Sequence, residues 1–263
     1  MNRPMLGIFD SGIGGLTVVK ELLKRHSGAS FVYLGDTART PYGNKSPDTI
    51  IEYALEDAAF LVTKGATVIV IACNTASSYA ADVLRATYPD IPVFDVIQPA
   101  VDAAAAMPEQ CIGIIGTKAT IASGVYETRL RAANPDLRAV SAACPLFVPL
   151  VEEGWTDRPE TETIARVYLA PLLEKSIESL ILGCTHYPLL FKVIRKVVGD
   201  GVSILDSPSA LLDHMERELS IPEGGEQNMY FTDNNEYARY FRDWFGRPFV
   251  ARRADIDSRD RGV

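Results

Sequence analysis

The chain has 263 residues, 47% of them apolar and 23% charged, with a formal net charge of −8. This composition is that of a globular protein with a sizeable core and excludes a disordered one; the acidic balance excludes a nucleic-acid surface, which needs clustered Lys and Arg. None of the four cysteines stands in a CxxC pair, so neither a zinc site nor a disulfide framework is expected, and free thiols fit a reducing cytoplasm.

The N-terminal "MNRPMLGIFDSG" enters an apolar strand and a glycine turn directly, without the apolar stretch of a signal peptide, and no run is long enough to span a bilayer. Apolar segments of strand length follow at "SFVYLGD", "ATVIVIAC", "IPVFDVI", "CIGIIGT", "LRAVSAAC", "SLILGCT" and "VSILDS". Between most of them lie helical patterns such as "LTVVKELLKR", "DTIIEYALEDAAFLVTKG" and "TIARVYLAPLLEK". Ser46 and Pro47 open the second of these as cap and first helical residue, and Gly65 closes it. Continuous apolar strands alternating with helices imply an α/β fold with mainly parallel, doubly covered sheets.

The strand-and-turn "GIFDSGIGG" precedes "VIACNTAS" by nearly the same interval at which "GIIGTKATI" precedes "LILGCTHYP". This echo implies two similar α/β halves, with a single doubly wound sheet as the alternative. The first boundary is expected near "DVIQPA", where Gln98-Pro99 follows the strand. After "VSILDS", the segments "SALLDHMEREL" and "NMYFTD…YARYFRDWFG" extend beyond the second half and are free to return to the first. The final "ARRADIDSRDR" reads as a solvated end.

Ligands of open α/β sheets sit beyond the carboxyl ends of the strands. Asp10-Ser11, Asp36, Cys73-Asn74-Thr75, Thr117 and Cys184-Thr185-His186 all fall there. Each of the two cysteines is expected to meet a helix N-terminus, where free N–H groups favour a thiolate and a small carboxylate ligand. A lone strand cysteine is usually a small core residue. Two at matching strand ends, each followed by polar residues, are poorly explained by packing. Cys111 opens a strand and Cys144 is followed by Pro145 and apolar residues, so both are assigned to structure. His26 and His214 read as surface residues, whereas His186 lies at the ligand edge. Asp10 serves either as a turn cap or as a functional group, and Gly12, Gly14 and Gly15 suit a tight turn. The turn lacks GxGxxG spacing, and no P-loop motif exists.

The blocks "GIFDSGIGGLTV", "YLGDTARTPYG", "VIACNTAS" and "LILGCTHYPLL" together resemble the signature blocks of bacterial glutamate racemases, in order along almost the whole chain. The resemblance implies two pseudosymmetric three-layer α/β/α domains, residues 1–97 with 208–263 and residues 98–207, with the active site in the cleft between them. It implies interconversion of L- and D-glutamate without cofactor or metal, supplying D-glutamate for peptidoglycan in the cytoplasm, in a homodimer without nucleic-acid or membrane partners. By resemblance, Cys73 and Cys184 are the catalytic bases. Asp10 would assist Cys73, and His186 and Glu152 would lie near Cys184. The same resemblance makes Asp10, Ser11, Tyr42, Gly43, Asn74, Thr75, Thr185 and His186 contacts to the substrate. Two other readings stay open: an aspartate racemase of the same superfamily, whose members commonly carry Glu where His186 stands, and a non-catalytic binder of an acidic amino acid.

Overall fold

The structure is a computed structural model and describes residues 4–233, 244–246 and 248–256. The chain begins with strand β1 (Leu6–Asp10), helix α1 (Leu16–Arg25) and β2 (Phe31–Gly35). A 3-10 turn at Tyr42–Asn44 then leads to α2 (Pro47–Thr63). The Ser46 side chain accepts from the Thr49 N–H at the head of α2, and Gly65, at φ +90°, releases the chain after it. Ile50, Ala54, Ala58 and Leu61 repeat at helical spacing and form the buried face of α2. There follow β3 (Val68–Ile71), α3 (Asn74–Thr87), β4 (Val93–Asp95) and α4 (Ile97–Ala105). The next elements are β5 (Cys111–Gly116), α5 (Lys118–Ala122), α6 (Val125–Ala133), β6 (Arg138–Ala143) and α7 (Phe147–Glu152). Then come α8 (Pro159–Leu173), β7 (Ser179–Gly183), a 3-10 turn at Tyr187–Leu190, α9 (Phe191–Val198) and β8 (Ser203–Asp206). The last elements among the described residues are α10 (Ser207–Glu218), β9 (Gln227–Phe231) and β10 (Ala251–Arg253).

The strands form two sheets, not one: six strands in the order β10-β9-β2-β1-β3-β4, and four in the order β6-β5-β7-β8. Among the described residues every pair of these strands is parallel. Alternation along each strand sends side chains to opposite faces. In the first sheet Ile8 and Tyr33 pack under α1 and α10, and Phe9, Val32 and Leu34 pack under α2 and α3. In the second, Leu180 and Leu182 face α7, α8 and α9, while Ile112, Ile114 and Ile181 face α4 and α6. Both sheets are thus covered on both faces, the reason their central strands read as unbroken apolar runs. Each fully buried Leu, Ile or Val contributes about 1.5–3 kcal/mol.

Gln98 and Pro99, where the boundary was expected, lie in the first turn of α4, where the missing Pro N–H has no helical acceptor to lose. The structure departs from the sequence reading in two places. The segment "ARRA" is not a solvated end: Ala251–Arg253 pairs with β9 and Ala254 is buried. Residues 257–263 of that tail, and residues 234–243 of the preceding segment, lie outside the described residues. Finally, the six-residue helix α7 spans a stretch with no helical signature, because Pro145 and Pro149 obscure it.

Candidate active site

The register of the two sheets determines which strand ends become neighbours. Phe9 pairs with Ile71, so Ser11 and Cys73 leave adjacent strands together, and the Cys73 thiol donates to Ser11 Oγ at 3.6 Å. Gly116 pairs with Gly183 in the second sheet, which sets Thr117 and Cys184 side by side in the equivalent place. One cleft collects these ends. Its walls are Ser11, Thr40, Pro41, Tyr42, Gly43, Cys73, Asn74 and Thr75 on one side, and Thr117, Val148, Cys184, Thr185 and His186 on the other.

The two thiols sit in unlike surroundings. Cys73 caps α3, and its Sγ accepts from the Ala76 N–H at 3.4 Å. Burial and the Asp10 carboxylate outweigh that contact and the one to Ser11, and push the thiol up to about 12. The helix terminus therefore does not populate a thiolate at Cys73 in this arrangement, contrary to the sequence expectation, because burial and a nearby negative charge are the larger effects. Cys184 has no α-helix directly behind it; a 3-10 turn intervenes before α9. Its neighbour is instead His186, with Nδ1 3.9 Å from Sγ. Burial disfavours the charged ring, but hydrogen bonds and charge from Cys184 and Glu152 prevail and hold His186 up to about 10. The other ring nitrogen, Nε2, lies 3.2 Å from Glu152 Oε1.

Helix α7 explains how Glu152 arrives there. Val148 and Glu152 are four residues apart and share one face of the helix, so the first reaches the cleft and the second reaches His186. Asp10 does not line the cleft; it joins the two sides. The Gly12 N–H donates to Oδ1 at 2.9 Å, and Thr185 Oγ1 donates to Oδ2 at 3.1 Å. Burial raises the Asp10 pKa, and the His186 charge and these hydrogen bonds oppose it only in part. Asp10 thus acts as a turn cap and as a charge near Cys73 at once.

Tyr42 lines the cleft, yet its hydroxyl lies between the buried carboxylates of Asp36 and Asp57, 2.9 Å from Asp57 Oδ2. What Tyr42 and Gly43 offer a ligand is backbone. Arg39 pairs with Asp36 at 2.6 Å and Asp57 at 3.0 Å, and also with Glu56. Asn74 donates from Nδ2 to the Tyr126 hydroxyl at 2.8 Å and to Ser207 Oγ at 3.3 Å. The Thr75 hydroxyl lies 2.9 Å from that of Thr117, across the cleft. Thr40, Pro41 and Val148 were not named among the sequence candidates, whereas Thr117 was placed at the ligand edge. The first two stand inside the "TARTPYG" block and Thr117 at a strand end, whereas nothing in the sequence marks Val148.

The remaining candidates lie elsewhere. Cys111 Sγ accepts from Arg138 at 3.1 Å, and Cys144 is buried behind Cys184 with its thiol pushed up, chiefly by burial. His26 pairs with Glu216 and Glu223, and His214 stacks edge-on against Phe94. Among the described residues no three His, Cys, Asp or Glu side chains are grouped to hold a metal ion.

Comparison with known proteins points the same way. The family model for Asp/Glu/hydantoin racemases matches residues 16–215. A glutamate racemase from Geobacter metallireducens is 49% identical over 203 residues, covering 77% of this chain and 75% of the relative. One from Sulfurihydrogenibium sp. is 48% identical over 233 residues, covering 88% and 89%. The crystal structure of glutamate racemase from Francisella tularensis in complex with D-glutamate superposes with a TM-score of 0.88 at 35% identity, over 98% of this chain and 99% of that one. With the family model matching residues 16–215 and relatives at 48–49% identity over more than three quarters of the chain, this chain is a member of the Asp/Glu/hydantoin racemase family.

Proposed function

We propose that the protein is a glutamate racemase that moves the α-proton with two thiols, Cys73 and Cys184. The observation that carries this reading is the opposite surroundings of two thiols in one cleft. Cys73, beside the Asp10 carboxylate and pushed up to about 12, holds its proton; Cys184 lies against a His186 ring held up to about 10. A two-base reaction needs this asymmetry, one group to take a proton and one to give it. In the direction this arrangement suits, the Cys184 thiolate removes the α-proton and its sulfur becomes a thiol. The electron pair left on the α-carbon then takes the Cys73 proton on the opposite face, leaving a Cys73 thiolate. The reverse reaction starts from that state.

The carbanion is stabilised through its carboxylate. The N-terminus of the 14-residue helix α3, with Asn74 and Thr75, presents N–H and hydroxyl groups to an anion, and Thr117 and Thr185 face it. Backbone groups of the Thr40–Gly43 segment are at hand for the second carboxylate. The relative crystallised with D-glutamate supports glutamate as the substrate. Supply of D-glutamate to peptidoglycan, a cytoplasmic setting and a homodimer belong to the same proposal. The two separate sheets support its division into domains, residues 1–97 with 208–263 and 98–207.

Solvent exchange tests the chemistry. L-glutamate incubated with the protein in deuterium oxide should lose optical activity and acquire deuterium at the α-carbon. Binding without exchange would leave a non-catalytic receptor for an acidic amino acid.

A further inference from the structure

Asn74 is 2% exposed, and two residues outside the cleft wall hold its amide: Tyr126 on α6 and Ser207 at the start of α10. Their hydrogen bonds determine which way the amide faces. Ser207 Oγ lies 3.1 Å from the Leu182 carbonyl oxygen. A carbonyl only accepts, so the single Ser207 hydrogen is committed there and Ser207 has only lone pairs to offer Asn74. Asn74 must therefore turn its nitrogen toward Ser207, and the same nitrogen reaches the Tyr126 hydroxyl. With both amide hydrogens used, Oδ1 is held on the opposite side. It is buried and has no hydrogen-bond partner among the described residues.

Tyr126 is itself well fixed. Its ring packs on Gly183, where an added Cβ would lie 3.2 Å from Cε2, directly before Cys184. Its hydroxyl stays neutral, because burial pushes the phenol well up.

An acidic amino acid has two carboxylates, which only accept, and a single donor group, its α-ammonium. Ser11, Thr75 and Thr117 bring to the cleft hydroxyls that suit the carboxylates, the Thr185 hydrogen being committed to Asp10, and cleft-lining Asn74 brings one unpaired amide oxygen. We propose that Tyr126 and Ser207 are positioning residues that lock the Asn74 carbonyl as an acceptor for the substrate's α-ammonium group. The inference rests on the racemase reading and adds to it how the amino group is held between the thiols.

The test compares ligands with and without the ammonium. Calorimetry would give dissociation constants for D-glutamate and for glutarate, the same dicarboxylate lacking the amine, in the wild-type protein, Tyr126→Phe and Ser207→Ala. Loss of one amide partner should weaken D-glutamate about three- to tenfold. Glutarate should be unaffected, and racemisation should show a raised KM with a smaller change in kcat. The second variant carries the same expectation should the first fold poorly. Equal weakening of both ligands, no weakening of D-glutamate, or wild-type binding of glutarate as tight as D-glutamate would each overturn the positioning role. A wild-type protein that neither binds D-glutamate nor exchanges its α-hydrogen removes the racemase reading itself, and this proposal with it.

Discussion

Two cysteines that look alike in sequence become unlike in space, because each acquires a different charged neighbour. Asp10 stands by Cys73 and His186 by Cys184. Replacing either by Ser should lower racemisation by about a hundredfold to ten-thousandfold, the usual range for loss of a positioned acid or base. Cys111→Ser should keep most of the rate, since its thiol lies away from the cleft, accepting from Arg138 and donating to the Lys175 carbonyl oxygen. Circular dichroism of the reacting amino acid measures all three, and full racemisation by Cys73→Ser or Cys184→Ser would sink the two-thiol reading. The charge on His186 also has a consequence for stability. The folded chain keeps that proton up to about 10, whereas an unconstrained imidazole releases it near 6.5. Between those values the unfolded chain binds fewer protons, so folding stability falls as pH rises. The contribution is fully present below about 6.5 and is lost as pH passes through about 10. Burial of the Cys73 thiol adds to the decline between 9.0 and about 12, where an unfolded thiol ionises first. Urea unfolding midpoints should therefore drop from pH 6 to pH 10, and His186→Asn should flatten that drop. A variant curve parallel to the wild type would assign the decline to other groups.

At the scale of elements, the glycine turn after β1 is the joint between the two sides of the cleft. A Cβ on Gly14 would stand 2.4 Å from both His186 Nδ1 and Thr185 Oγ1. Thr17, one turn into the same segment, donates its hydroxyl to the Thr185 carbonyl oxygen at 3.1 Å. The turn that the sequence marks as tight is glycine at this position because the opposite strand end leans on its backbone. Gly14→Ala must push the buried Thr185 and His186 aside, at a cost of about 1–3 kcal/mol, the range for overpacking. It should also lower kcat by shifting His186 relative to Cys184. Gly12→Ala meets Thr40 Oγ1 only at 3.2 Å, so it should be milder on both counts. Melting temperature and kcat for the two variants check this ordering, and equal effects would argue against the close-approach explanation. Gly43 has the same character on the other rim, with Thr117 Cβ 2.6 Å from an added Cβ.

For the molecule as a whole, two parallel sheets turn their carboxyl edges toward one cleft, and recognition there depends on fixed donors. Arg39 cannot clamp a carboxylate, because Asp36, Glu56 and Asp57 already engage it. Hydroxyls and backbone N–H groups donate to an oxygen only at about 2.7–3.2 Å, so in the proposed racemase the site measures the distance between two carboxylates. Aspartate is one methylene shorter, and with its α-carbon between the thiols one carboxylate falls short of its donors. A buried donor left unpaired costs about 1–3 kcal/mol, and misplacement of the reacting carbon lowers the rate further. Glutamate should be preferred to aspartate by at least about a hundredfold in kcat/KM. Rates for the two purified L-amino acids decide the matter, and comparable values would make the protein a broad acidic amino-acid racemase.

Eight strands and most of the long helices were legible in the sequence, because apolar period and capping residues act locally: Ser46 and Gly65 delimit α2 through hydrogen bonds and a backbone angle of their own. The α/β class, the two-part echo and the polar strand ends follow from the same short-range patterns. Other features depended on contacts between distant segments. Val148 reaches the cleft, and Glu152 reaches His186, through a six-residue helix containing Pro149, too short for periodicity to reveal. The echo implied two halves and left the C-terminal segment free to return, but the choice of two sheets over one and the places of β9 and β10 in the first come from strand pairing that leaves no local trace. The removal of Tyr42's hydroxyl into a carboxylate cluster likewise required Asp57 from α2 to come close. Residue types alone name two equivalent thiols. Only tertiary structure sets one beside the buried Asp10 carboxylate and brings Glu152 to the His186 ring that follows the other, because charge and desolvation act through space between groups that the sequence keeps far apart.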